Sequence, residues 1–257
     1  MKGVAGLHGW QWVFLLEGVP AIILGVITWF VLADNPRTAA WLSPEEKAEV
    51  AHDLASDEAV HLAANGGSKW LSVTRDSITY FMWSSGVYGL NFFLPKILVA
   101  RGAAEVATGW FATLTFGVGA LAMYWASHQR SFRPLPFLIF AAGAGFAGAG
   151  QFHSLPGAVI SFCLAAMGLL SSLPIFWSLA ASRLSGRSAG AAIAIVNSVG
   201  AVGAAAGPYA IGWLHDRTHS YSAGLWAIAG CLVVGALLTV NAAVGRAVAG
   251  PEPLLPR

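Results

Sequence analysis

Residues 183–225 read RLSGRSAGAAIAIVNSVGAVGAAAGPYAIGWLHDRTHSYSAGL, and no residue from Ser188 to Leu214 is charged. An uncharged run of that length crosses a bilayer as a helix. Its apolarity comes largely from Ala and Gly rather than from Leu or Phe. Small residues let helix backbones approach closely, which is how membrane helices associate when burial against lipid gains them nothing. Gly200, Gly203, Ala204 and Gly207 fall on one side of a helical wheel, with Asn197 at the edge of that side. A carboxamide in an apolar helix is costly without a hydrogen-bond partner. This helix is therefore expected to pack tightly and to present a polar group to a neighbour or a cavity.

The rest of the chain extends the same reading. Of 257 residues, 56% are hydrophobic and 10% charged, well below the charge of an ordinary soluble domain. Several further apolar runs of about 20 residues read as spanning helices. Many of the eleven Trp, among them Trp10, Trp12, Trp41, Trp70 and Trp213, lie near predicted helix ends, as an interfacial belt requires. A net charge of +2, scattered along the chain, does not suggest nucleic-acid binding. Cys163 and Cys231 each sit inside an apolar run, so buried thiols are expected rather than a disulfide framework. The apolar run after Gly9 is too long for the h-region of a cleavable signal peptide.

Seven helices follow in order. The first covers about Gln11 to Ala33 and carries Glu17, about 10 Å along the axis from Trp10. An acid at that depth either pairs within the packing or carries a proton. Residues 34–70 form the longest polar stretch, where Ser43-Pro44-Glu45-Glu46 predicts a capping box opening a short acidic helix to about Ala63. Asn65-Gly66-Gly67-Ser68 then reads as a flexible hinge. The second helix, about Leu71 to Ala100, places Ser84, Ser85, Tyr88 and Asn91 on one face, and Pro95 is expected to break it. That face suits either a hydrated cavity or hydrogen bonding between helices. The third, about Val106 to Ser127, is expected to pack through Gly117 and Gly119. The fourth, about Leu135 to Phe152, is short and rich in Gly and Ala. In the fifth, about Pro156 to Ala181, Pro174 frees a carbonyl that Ser171 and Ser172 are expected to reach. The sixth is the opening stretch, and the seventh covers about Ser222 to Val244.

Several of these segments carry a resemblance. The run SGRSAGAAIAIVNSVGAVGAAAGPYAIGWLHDRT is similar to the eleventh helix of the anion:cation symporter family, within the major facilitator superfamily. The match extends over about 35 residues, with Ala192, Ala201 and Ala204 at typical Gly, Asn and Gly positions and His219 where Gly is usual. GWQWVFLLEGVPAIILGV resembles the family's sixth helix and GVYGLNFFLPKIL its seventh. NPRTAAWLSPEEKAEV resembles the linker between its two halves, and PIFWSL its tenth helix. The loop SHQRSFRP departs from the family's gating turn, having basic charge but no acid. The resemblance implies an all-α integral membrane protein of about seven transmembrane helices, equivalent to helices 6–12 of a major facilitator fold. Residues 1–33 would be the last helix of an N-terminal half and 34–70 a cytoplasmic linker. Residues 71–250 would be the C-terminal six-helix half, followed by a cytoplasmic tail at 251–257.

That family imports small organic anions by proton symport, so the resemblance implies a carboxylate substrate, protons as coupling ion and no cofactor. Tyr88, Asn91, Trp177 and Asn197 are the substrate-binding candidates, and Glu17 the proton-coupling one. Tyr and Asn would hydrogen-bond hydroxyls or a carboxylate, and Trp would wall off the carbon skeleton. For Trp177 and Asn197 the alternative is pure helix packing. With the N-terminus outside, inward-facing segments hold Arg37, Lys47, Lys69, Arg75, Arg130, Arg133, Arg183, Arg187, Arg246 and Arg257. Outward-facing ones hold only Lys2, Lys96, Arg101 and Arg217. The bias predicts a cytoplasmic C-terminus in a cell (inner) membrane protein. Helices one to five have no counterpart here, so a missing N-terminal half is the expected partner, with a non-transporting fragment as the alternative. Other classes fit less well. A retinal protein needs a lysine that the last helix lacks, and no phosphate-cradling loop supports ATP-driven transport. His215-x-x-x-His219 approaches metal-ligand spacing but reads as a solvated turn, so neither a metal nor an enzymatic role is expected.

Overall fold

A computed structural model of the chain describes residues 8–33, 38–52, 68–129, 131–183 and 189–248. The chain divides into two compact units, residues 1–63 and 64–257. Among the described residues of the first unit, α1 spans Gly9–Val31 and α2 covers 44–52. At the start of α1 the Gln11 side chain accepts from the His8 backbone N–H at 2.7 Å. None of its apolar stretch Phe14–Val31 is buried. The capping box is present as expected: the Ser43 N–H donates to Glu46 Oε2 at 2.8 Å, and the Glu46 N–H to Ser43 Oγ at 3.2 Å. The expected remainder of α2 to Ala63, the hinge at 65–67, Arg130, Arg187 and the C-terminal tail lie outside the described residues.

The second unit contains α3 (Ser68–Ala100), α4 (Glu105–Ser127), α5 (Pro134–Gln151), α6 (Leu155–Ala181), α7 (Ala189–Thr218) and α8 (Ser222–Val248). The helices run alternately up and down, and glycines set the approach at nearly every interface. A Cβ at Gly203 would lie 2.9 Å from both Cα and C of Phe81, and one at Gly207 would lie 2.6 Å from Ser85 Cα. The contacts advance together along both chains, so α7 lies parallel to α3 with backbone on backbone. Gly145 of α5 faces Ala165 of α6, Gly168 of α6 faces Ala142 of α5, and Gly119 of α4 meets Ala166 and Leu170 of α6. On α8, Ala229 and Leu232 receive Gly143 of α5. Between these close approaches lies a core that includes Leu94, Leu98, Leu135, Phe146, Phe162 and Leu232. The small-residue face expected of α7 is thus its packing face, with Gly200, Gly203 and Gly207 buried and Ala204 half-buried at its margin.

Five of the seven long helices are long and apolar enough to cross a membrane by themselves: α1, α4, α6, α7 and α8. The other two, α3 and α5, were expected to read as spans and are the polar and the short, glycine-rich ones. Both pack against at least two other helices of the unit, with Ser84 and Ser85 of α3 buried and Gly143, Gly145 and Gly150 of α5 set against neighbouring helices.

Three local expectations need correction. Pro95 does not break α3, which continues to Ala100. Leu94, Ile97 and Leu98 around it are almost wholly buried, and that packing outweighs one lost backbone hydrogen bond. The helix ends instead at Gly102 (φ 89°). There Ala103 N–H bonds the Leu98 carbonyl and Gly102 N–H the Val99 carbonyl, a Schellman cap. A Cβ at Gly117 would meet open space, so of the two glycines it is Gly119 that makes the close approach of α4 to α6. Ser171 and Ser172 do not turn to the carbonyl that Pro174 frees, that of Leu170. Ser171 Oγ donates to the Met167 carbonyl and Ser172 Oγ to that of Leu169 at 2.7 Å. Each serine reaches back to the carbonyl nearest its own rotamer three or four residues earlier.

Candidate functional site

The polar face expected on α3 is divided by its neighbours. Ser84 and Ser85 are buried on the flank that receives α7. Ser85 Oγ donates to the Phe81 carbonyl at 2.9 Å and lies 3.0 Å from the Gly203 carbonyl of α7. That half of the stripe joins helices. Tyr88, 45% exposed, and Asn91 remain open. Asn91 Nδ2 donates to the Val87 carbonyl at 2.9 Å. On α7, exposed Asn197 does the same, donating to the Ile193 carbonyl at 3.2 Å. Each carboxamide spends one N–H on its own helix, which fixes its orientation and leaves a second N–H and the carbonyl oxygen.

Trp177 on α6 is half-buried in a group of four rings. Its ring meets Tyr80 edge-on at 5.1 Å and Phe176 at 5.4 Å. Tyr80 stacks in parallel on Trp83 at 5.4 Å and on Phe176 at 5.5 Å. Trp83 is anchored in turn, its Nε1 donating to the Leu169 carbonyl at 2.9 Å and to Ser172 Oγ at 3.1 Å. From α7, Gly200 abuts the Tyr80 ring. Tyr80 is therefore where α3, α6 and α7 meet. It escaped the sequence reading, although it stands one turn before Ser84 on the same face, and that spacing could have found it.

The four candidates consequently fall at two levels rather than one. Trp177 touches Tyr80, and Asn197 lies one turn before the glycine that abuts Tyr80. Tyr88 and Asn91 are eight and eleven residues farther along α3, about 12 and 17 Å at 1.5 Å per residue. Glu17 is exposed on α1 in the other unit.

One turn before Tyr80 lies a second residue missed from the sequence, Asp76, only 5% exposed. Its Oδ1 is 3.5 Å from both Arg75 Nε and Arg183 Nη1, the latter just beyond α6. Its Oδ2 is buried with no hydrogen-bond partner among the described residues. Asp76 is the last charge before the uncharged stretch 77–95 of α3, and so lies outside the spanning part of that helix. Burial pushes its pKa up from the ordinary aspartate value, against the pull of the Arg183 and Arg75 guanidiniums. The acid that meets Arg183 comes from α3, 107 positions away in the chain.

At the opposite end of the unit, cations rest on rings and carbonyls. Lys96 lies 5.2 Å over Phe93, and Arg217 4.5 Å over Trp213. Arg101 donates to the Ala149 carbonyl, and burial lowers its pKa. His215 stacks on Tyr221 at 4.0 Å. His219 has φ 53°, the left-handed conformation that favours glycine, which explains why glycine suits that position. Among the described residues no group of three His, Cys, Asp or Glu could hold a metal ion.

The family model of the Major Facilitator Superfamily matches residues 2–208. A protein of Agrobacterium vitis named "Putative tartrate transporter" is 35% identical, covering 93% of this chain and 56% of its own length. A quinolone resistance transporter of Acinetobacter baumannii is 33% identical, over 93% of this chain and 58% of its own. The inner membrane transport protein RhmT of Escherichia coli is 32% identical, over 97% and 60%. The chain thus spans somewhat over half the length of these relatives. The family model's match covers most of the described helices, and the chain belongs to the Major Facilitator Superfamily.

Proposed function

We propose that the chain is the C-terminal portion of a transporter that imports a small organic anion, a carboxylate, with protons by alternating access. The observation that carries this reading is the pair of oriented carboxamides, Asn91 and Asn197, exposed on α3 and α7. Polar groups held at open positions of helices that otherwise pack through glycine and apolar side chains suit a hydrated path. The relative of Agrobacterium vitis, named for tartrate, supports a hydroxycarboxylate as the first substrate to try. Trp177 and Asn197 would serve at the level of Tyr80, and Tyr88 and Asn91 farther along. Glu17 would carry the proton, and an N-terminal half would complete the path. Residues 34–70 would link the halves, 71–250 form the C-terminal one, and 251–257 the tail. The charge bias favours an inner-membrane protein with its C-terminus in the cytoplasm.

The test joins this chain to the part of the Agrobacterium vitis relative that its match leaves uncovered and measures uptake of labelled tartrate into vesicles. Uptake should rise with an inward proton gradient. Asn197→Ala should raise the half-saturation concentration several-fold at equal membrane abundance, and Glu17→Gln should abolish the dependence on the gradient. A chimera that reaches the membrane yet takes up no carboxylate would overturn the substrate class. Unchanged half-saturation in Asn197→Ala would remove that residue from the site.

A further inference from the structure

Asp76 presents a chemical asymmetry that a purely structural ion pair lacks. One carboxylate oxygen, Oδ1, is shared by two guanidiniums, each at the outer limit of hydrogen bonding at 3.5 Å. The other, Oδ2, is buried without any donor among the described residues. A buried anionic oxygen with no donor is expensive, and the expense vanishes when that oxygen carries a proton. Two further buried hydroxyls, Ser77 Oγ and Thr79 Oγ1, lie within three residues and are likewise without partners among the described residues. The neighbouring Arg75 side chain is 24% exposed.

We propose that Asp76 is a reversible proton-binding site of this bundle, taking the proton on Oδ2 at the junction of α3 with the end of α6. Uptake consumes one hydronium and gives one neutral carboxyl and one water, with no redox partner. In the ionised state Asp76 draws Arg183, and so the end of α6, against α3. In the neutral state that attraction is gone. Among the described residues, the charged groups facing Asp76 are Arg75 on its own helix and Arg183 beyond α6. The first turns of α7 (189–196) carry no acid or base, and residues 222–240 of α8 carry only Cys231. A place for this proton in a transport cycle rests on the proton-coupled reading above; the proton site itself does not.

The experiment is carboxyl-carbon NMR of the full 257-residue chain in lipid nanodiscs, labelled at its aspartates (Asp34, Asp53, Asp57, Asp76 and Asp216). One aspartate should titrate above the ordinary aspartate range, because burial without a donor disfavours its ionised form. That signal should be missing in Asp76→Asn and should move to higher pH in Arg183→Gln, because a cation that favours the ionised form has been removed. Should Asp76→Asn fail to fold, the selective movement of one resonance in Arg183→Gln makes the same assignment. Five aspartates titrating together, or a high signal that survives Asp76→Asn, would overturn the proposal. If Asp76 titrates as expected but tartrate uptake proves independent of proton gradients, the proton-coupled reading falls and the proton site stands.

Discussion

The α3–α7 interface offers the sharpest test of how this bundle is held. Replacing Gly207 with Ala places a methyl 2.6 Å from Ser85 Cα and 2.7 Å from Ser85 C, where ordinary contact begins at 3.4 Å. The obstacle is backbone, which has no rotamer to give, so α7 must move away from α3 by about an ångström. Overpacking of this kind costs about 1–3 kcal/mol. The same displacement stretches the 3.0 Å contact between Ser85 Oγ and the Gly203 carbonyl beyond bonding range, forfeiting about 0.6 kcal/mol in a membrane setting. Gly117→Ala is the matched control: it makes the same chemical change in the middle of a helix, but its Cβ meets open space. The gain in helix propensity, up to about 1 kcal/mol, is common to both and cancels. Gly207→Ala should therefore be less stable than Gly117→Ala by about 1.6–3.6 kcal/mol. SDS titration of the micelle-bound chain reads this with a thiol-reactive fluorophore, because Cys163 and Cys231 are free and half-buried. Equal midpoints for the two variants would mean that α7 does not lie backbone-to-backbone on α3, and the packing argument would fail.

Two further outcomes can be read by the same titration. Trp83→Phe keeps a ring on Tyr80 but removes the indole N–H from the Leu169 carbonyl and Ser172 Oγ. Because Ser172 still bonds that carbonyl at 2.7 Å, the loss should stay near 1 kcal/mol; a loss several times larger would show that the ring cluster itself had collapsed. Gly102→Ala meets no atom within 4 Å, yet its φ of 89° should cost about 1 kcal/mol, and a variant as stable as the parent would argue against the Schellman cap.

The helices were legible in the sequence because their signals are local. Uncharged apolar runs and the prolines and glycines between them bounded the long described helices to within a few residues, and the Ser43–Glu46 capping box marked the start of α2. The packing face of α7 was legible too, since Gly200, Gly203 and Gly207 recur at helical spacing and only close approach explains them. The site was less so. Tyr88, Asn91, Trp177 and Asn197 were each visible as polar or aromatic exceptions in apolar helices, but the pattern carries no information about depth relative to other helices. The sequence by itself therefore determined that the chain forms membrane-crossing helices and which stripe of α7 packs. Only the tertiary structure decided what each exception touches. It turned Ser85 into a link between helices, made Tyr80 the meeting point of three, carried α3 through Pro95 on buried neighbours and set Asp76 against Arg183 from 107 positions away. Helix periodicity is fixed within a few residues of the chain, whereas the partner of a side chain depends on which distant helix comes to lie against it.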